Sequence, residues 1–300
     1  MPLLSWPALG VEHTFDPHHK FVSSPVFSPY ILAAIRCLLA LYGLCTICTV
    51  LAFDVKFGFG DSYLSYFTNL SYIGLTAYYW ASGVQTFAYA RYGRYPLRRW
   101  PRVLQGLHVL LQSTVTTFPF IVTVVFWVLL SSSTTLDTKL HAWQNISVHA
   151  MNSAFALFDI LLTNTPPAPW LVLPLHIIML GGYLGVAYIT HETQGFYTYS
   201  FLDPSKGPIL AAYIIGIAVG DIVVFLLARG AVALRQRLAI RAGRLPDGSG
   251  DAKEGARETE AFDEWQEIDR PKPEADMRQQ QVIDSAVAVG GGSGGGAYAV

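Results

Sequence analysis

Charge is scarce in this chain. Only 14% of its 300 residues are Asp, Glu, Lys or Arg, against about 25% in an ordinary soluble domain. The formal net charge is −1, and no basic domain is set apart for nucleic acid, so no nucleic-acid partner is expected. Cysteine is scarce too. Cys37, Cys45 and Cys48 all fall in the first apolar run, which leaves neither a disulfide framework nor a zinc spacing. They read as buried apolar thiols. No His-Glu-x-x-His occurs, and the histidines divide between two depths, so three ligands do not converge. No metal and no cofactor is expected. Residues 1–29 are polar, rich in Pro and His, and lack the apolar stretch of a cleavable signal. The first span is therefore expected to act as the targeting signal.

Apolar residues are abundant, at 52%. They gather in six runs, roughly 30–53, 63–90, 103–130 (broken by Pro119), 145–163, 170–190 and 208–230. About 20 apolar residues suffice to cross a bilayer, and backbone groups in lipid must bond within their own segment. The expectation is an all-α, polytopic membrane protein, a bundle of about six transmembrane helices. The fourth run is the most polar, interrupted by Asn145, His149, Asn152 and Asp159.

Lys and Arg set the orientation. One cluster, Arg91, Arg94, Arg98, Arg99 and Arg102, follows span two. A second, Arg229, Arg235, Arg237, Arg241 and Arg244, follows span six. Four spans separate them, so both clusters face the cytoplasm and both termini are cytoplasmic. Three regions result: a cytoplasmic N-terminal segment 1–29, a membrane domain 30–235, and a cytoplasmic tail 236–300. The tail is charged, then Gly-rich over 290–296, and is expected to be largely disordered. Two glycosylation triplets occur. That at Asn69 lies inside a span, where it is unused; that at Asn145 lies at a luminal helix end.

Ionisable groups in spans usually face the bundle interior. Span four carries Asn145, Asn152 and Asp159 every seven residues, with His149 between. Span three carries Gln105, His108, Gln112 and Thr116, a stripe that reads as an interhelical polar network. Span five carries His176, and Asp221 and Arg36 stand singly in spans six and one, where they are one possible ion pair. Spans two and four run inward from the exterior. Thr68 and His149 then lie at one depth, roughly 6–8 Å below their helix starts at 1.5 Å per residue. A threonine hydroxyl needs a base, which a neutral imidazole can be. Helix N-termini on that face favour an oxyanion or a substrate carboxylate. Asp203 or Glu192 is the expected acidic partner, with His191 nearby.

The chain resembles the androgen-induced, or androgen-dependent TFPI-regulating, family of multipass membrane proteins, in its fungal-type branch. The resemblance covers roughly residues 30–235. Its carriers are Ser65-Tyr66-Phe67-Thr68-Asn69, Phe118-Pro119-Phe120 with Phe126-Trp127, the stretch 145–159 around His149, and 195–202. It implies a membrane-embedded hydrolase of fatty acid esters of hydroxy fatty acids or a related amphiphile. By position, the family threonine falls on Thr68 and the family histidine on His149. This chain departs from the animal members in Ala150 and Met151 after the histidine, in Asp159 for a glutamate, and in the Gly-rich tail.

The expected function is lipid ester hydrolysis by Thr68 and His149, on a lipid substrate drawn from the bilayer. Asn69, Asn145, Asn152, Asp159, His191, Glu192 and Asp203 are the supporting or substrate-binding candidates. The alternatives are a non-catalytic membrane protein binding lipid or protein, and a proton-coupled transporter using His108, His176 and Asp221. Endoplasmic reticulum is the expected compartment, on the general ground that multispanning lipid enzymes often reside there.

Overall fold

The computed structural model describes residues 5–243, and every regular element in them is helical. The expected tail from residue 244 onward lies outside the described residues. The main helices are α1 (Pro29–Lys56), α2 (Phe67–Tyr92), α3 (Arg102–Val115), α4 (Phe118–Val125), α5 (Lys139–Ile146), α6 (Asn152–Leu162), α7 (Val172–Gln194) and α8 (Pro208–Arg241). α4 continues as a π turn over Phe126–Leu130, and a second π turn, Ser147–Met151, joins α5 to α6. α3 and α4 together make one broken span, as do α5 and α6.

Five of these spans are long and apolar enough to cross a membrane. α2, with 26 residues, is the more polar sixth. It fits because its polar face is covered: Thr68, Thr76, Ser82, Gln85 and Thr86 are all buried. The outer surface is the reverse of a soluble protein's. Val128 is 73% exposed, Leu227 67% and Ile178 66%. Large exposed apolar area marks a surface that meets lipid. The chain is an integral, multi-pass membrane protein.

Helix boundaries differ from the apolar runs in instructive ways. The second helix starts at Phe67 because residues 60–65 wind as a 3-10 turn. The fourth starts at Lys139, capped by the Thr138 side chain on the His141 N–H. Hydropathy does not register this polar first turn. The third span breaks at Thr116 and Thr117, and Pro119 enters α4 in its first turn, where a missing N–H costs nothing. α8 has 34 residues, or about 51 Å at 1.5 Å per residue, well beyond an apolar core of about 30 Å. Cys45 and Cys48 are exposed on α1, not buried, and all three thiols are free.

α1 and α2 pack closely. A Cβ at Gly43 would stand 2.4 Å from the Thr76 hydroxyl, and one at Gly83 2.9 Å from Cys37 Sγ. Small residues let backbones approach in this way where lipid supplies no hydrophobic drive. The core between them joins Ala40, Tyr72, Leu75, Tyr78 and Tyr79 to Val115, Val148 and Phe155. The N-terminal segment covers one end of the bundle. Val11, Phe15, Phe21 and Val22 pack there with Tyr95, Leu97, Val109 and Val172. Asp16 holds that segment in shape, accepting the Tyr95 hydroxyl at 2.5 Å and the Lys20 N–H at 2.7 Å.

Arg36 does not pair with Asp221. Its Nη2 meets Asp159 Oδ1 at 3.3 Å, and both side chains are fully buried. The Tyr78 hydroxyl lies 3.1 Å from both Asp159 oxygens. Arg36 Nη1 donates to the Phe21 carbonyl at 2.8 Å and to Thr86 Oγ1 at 2.7 Å. Asp221 instead faces His176, at 3.7 Å. His108 stands apart from that pair, between the rings of Phe21 and Tyr78. Gln105 bonds the Leu97 and Arg98 carbonyls, so it caps a loop rather than bridging two spans.

Removing one member of a buried pair leaves a bare charge and costs about 3–5 kcal/mol, whereas an apolar replacement of both is often near neutral. Arg36→Met should therefore melt well below wild type in detergent, and Arg36→Met with Asp159→Leu should recover part of the loss. A double variant melting no higher than Arg36→Met would contradict this role.

Candidate functional site

Thr68 and His149 come from helices far apart in sequence, and both line one cavity of about 410 Å³. Both are buried. The cavity is also lined by Asp54, Tyr66, Asn69, Phe126, Gln144, Thr198 and Tyr199. It lies at the end of the bundle where α2 and α8 begin and α1 and α7 end.

Thr68 is the second residue of α2, not a residue well inside it. Its position follows from the 3-10 turn before it, which ends the preceding connection just above the helix. The first N–H groups of a helix have no partner within it. At α2 they stand beside Tyr199, whose phenol burial pushes above its ordinary range while the side chain and backbone of Thr68 draw it back. The α2 start is tied to α7 through Ser65. The Tyr183 hydroxyl donates to its carbonyl at 3.1 Å, and Thr190 Oγ1 donates to its hydroxyl at 2.9 Å. Asn69 Nδ2 donates to the Tyr63 carbonyl at 2.8 Å, so its side chain serves the turn.

His149 sits at the middle of the π turn Ser147–Met151, the kind of single-turn bulge that often marks functional sites. It is about 15 Å along its helix from Lys139 at 1.5 Å per residue, much further than the sequence suggests. Its ring stacks on Phe126, centroids 3.5 Å apart and planes within 4°. The Trp127 indole donates to the His149 carbonyl at 3.0 Å. Four residues on, the Ser153 N–H bonds the Asn152 side chain at 2.7 Å. The two π turns thus meet face to face, one holding the other's imidazole. His149 Nδ1 is buried without a hydrogen-bond partner, and no hydrogen bond joins His149 to Thr68 among the described residues. Such bonds often form only once substrate is bound.

The other sequence candidates are placed elsewhere. Asp159 pairs with Arg36 and does not line the cavity. Asn152 accepts from Thr123 Oγ1 at 3.1 Å and holds the break before α4 through the Pro119 carbonyl. Asn145 lies six residues past the start of α5, near its C-terminal end rather than at the start of the span, and donates to the Thr135 carbonyl at 2.9 Å. His191 stacks on Tyr197 at 4.0 Å and Glu192 is solvent-facing. Asp203 caps the turn at Ser205, whose backbone holds its carboxyl below the usual range. None of these six lines the cavity with His149.

The acid that does line it is Asp54. Composition does not single it out, because it follows the first apolar run and reads as an interfacial residue beside Lys56. In the sequence, Phe126, Thr198 and Tyr199 stand out only as carriers of the family resemblance. Among the described residues no three His, Cys, Asp or Glu gather as a metal site. Comparisons with protein-family models, with curated proteins and with solved structures find no match to this chain.

A second cavity, about 200 Å³ and apolar, touches the first. Thr68, Phe126, Leu130 and Tyr199 line both. Thr68 therefore stands where a cavity of mixed polar and apolar lining adjoins an apolar one.

Trp127→Phe keeps an aromatic ring and removes the donor to the His149 carbonyl. An unsatisfied buried group costs about 1–3 kcal/mol. The variant should melt below wild type in detergent, measured by size-exclusion chromatography after heating. An unchanged melting point would show that the indole does not support the π turn.

Proposed function

We propose that this chain is a membrane-embedded hydrolase of lipid esters, with Thr68 as nucleophile and His149 as general base. One observation carries the reading: Thr68 and His149, both buried residues, line a single cavity, with Thr68 at its border with an apolar one. The resemblance to the androgen-induced family implies the same pair and the same reaction class.

The chemistry follows in two halves. His149 takes the Thr68 proton as Oγ1 attacks the ester carbonyl. The carbonyl oxygen becomes an oxyanion, which the first N–H groups of α2 can meet. Collapse breaks the bond to the alcohol oxygen, and the imidazolium returns its proton to that leaving group. Water, deprotonated by the same imidazole, then attacks the acyl-threonine and releases the carboxylic acid. Asp54 is the carboxylate on the cavity wall suited to supporting the transient imidazolium.

The substrate class is an amphiphile taken from the bilayer, such as a fatty acid ester of a hydroxy fatty acid. With both termini cytoplasmic, the polar cavity opens toward the exterior or luminal side. The endoplasmic reticulum is the compartment this chemistry suits.

Labelling with a fluorophosphonate probe tests the pair, using wild type, Thr68→Ala and His149→Ala at matched folded yield. Wild type should label and both variants should lose the label. Labelling that persists in both folded variants would move the reactive residue elsewhere.

A further inference from the structure

We infer that the apolar cavity beneath Thr68 seats one hydrocarbon chain of a bilayer amphiphile, and that the chain reaches it through a gap between α4 and α8. The position of the scissile bond within this arrangement rests on the hydrolase reading; the chain site itself does not.

Three adjoining spaces make the case. The first is the cavity of mixed lining that His149 and Asp54 border. The second is the apolar cavity, walled by α4, α7 and α8 and lined by no charged side chain. A ligand whose polar end lies in the first and whose chain lies in the second passes Thr68, which lines both. The third is an open groove of about 230 Å³ between α4 with its π turn and α8. It shares Ile121, Val125 and Ile217 with the apolar cavity.

The groove faces lipid. Val128 is on its rim at 73% exposure, and Val124 beside it is also exposed. Its α8 wall is cut low by Gly216 and Gly220. A Cβ at Gly216 would meet nothing within 4 Å, and one at Gly220 would reach only Ile121, at 3.7 Å. The groove is lined almost wholly by apolar side chains, which suits a methylene chain and disfavours a polar headgroup.

A chain arriving from lipid gains little from the hydrophobic effect, because lipid is as apolar as the cavity. Shape must then decide which chains are held. Gly181 of α7 lines the cavity, and a Cβ there would enter open space. The Cβ of a larger residue therefore meets no neighbour there, and phenylalanine adds bulk at the cavity wall. Ala218 of α8 lines the same cavity and offers a second place to fill it.

The test uses the full chain in detergent, with p-nitrophenyl butyrate and p-nitrophenyl palmitate as substrates. In Gly181→Phe and Ala218→Phe the palmitate-to-butyrate turnover ratio should fall roughly tenfold or more, the scale on which apolar pockets discriminate chain size. An unchanged ratio in both folded variants overturns the proposal. In parallel, the chain in lipid nanodiscs is photolabelled with stearic acid carrying a mid-chain diazirine. Saturable labelling of α7 and α8 peptides, weakened in both variants, is expected. If wild type turns over neither ester, the hydrolase reading fails while this labelling still supports the chain site. Labelling that neither saturates nor responds to the variants overturns it.

Discussion

An ion pair sealed from water governs this bundle. Arg36 and Asp159 are fully buried, in a molecule whose outer surface is apolar. Charges in such surroundings persist only when they are paired and their remaining groups are bonded. The pair therefore dictates where α1, α2 and α6 stand relative to one another. Tyr78 adds its hydroxyl from α2, and Phe21 adds its carbonyl from the N-terminal segment. α8 joins through Arg235, which donates to the Ile160 carbonyl at 2.7 Å. One charge contact thus ties together parts of the chain with no sequence proximity.

The candidate site depends on that register. Tyr78 follows Thr68 by ten residues on α2, and Asp159 follows His149 by ten on the α5–α6 span. Ten residues are about 15 Å of helix. Fixing Tyr78 against Asp159 therefore sets Thr68 and His149 at similar heights further along the same two spans. The π turn then adjusts the angle at which His149 presents its ring, and the stack on Phe126 holds it there. A structural charge at one level and a polar cavity at the other are two consequences of a single helix pairing.

Much of this is legible in the sequence, for reasons that can be named. The apolar runs reveal the spans because lipid demands them. The juxtaposition of Thr68 and His149 followed from spans two and four running in the same direction. Depth along the two helices is less legible. Thr68 opens α2 and His149 lies well along its span, because a 3-10 turn and a polar first turn are invisible to hydropathy. Partner choice was less legible still. Asp159 looked like part of one polar stripe with His149, but helical periodicity names a face and not the neighbour across it. Asp203, Glu192 and His191 shared a side with the site without reaching it. Asp54 reached the cavity while looking like an ordinary membrane-boundary residue.

Thr68 and His149 act as one chemical unit in this account, served by a polar chamber on one side and an apolar one on the other. A double-variant cycle on ester turnover tests that unity most directly, because residues acting together lose activity non-additively. Thr68→Ala, His149→Ala and the double variant would be compared on one ester at matched folded yield. The account predicts that the double variant is no slower than the slower single variant. Losses that multiply, or a single variant that retains wild-type turnover, would contradict it.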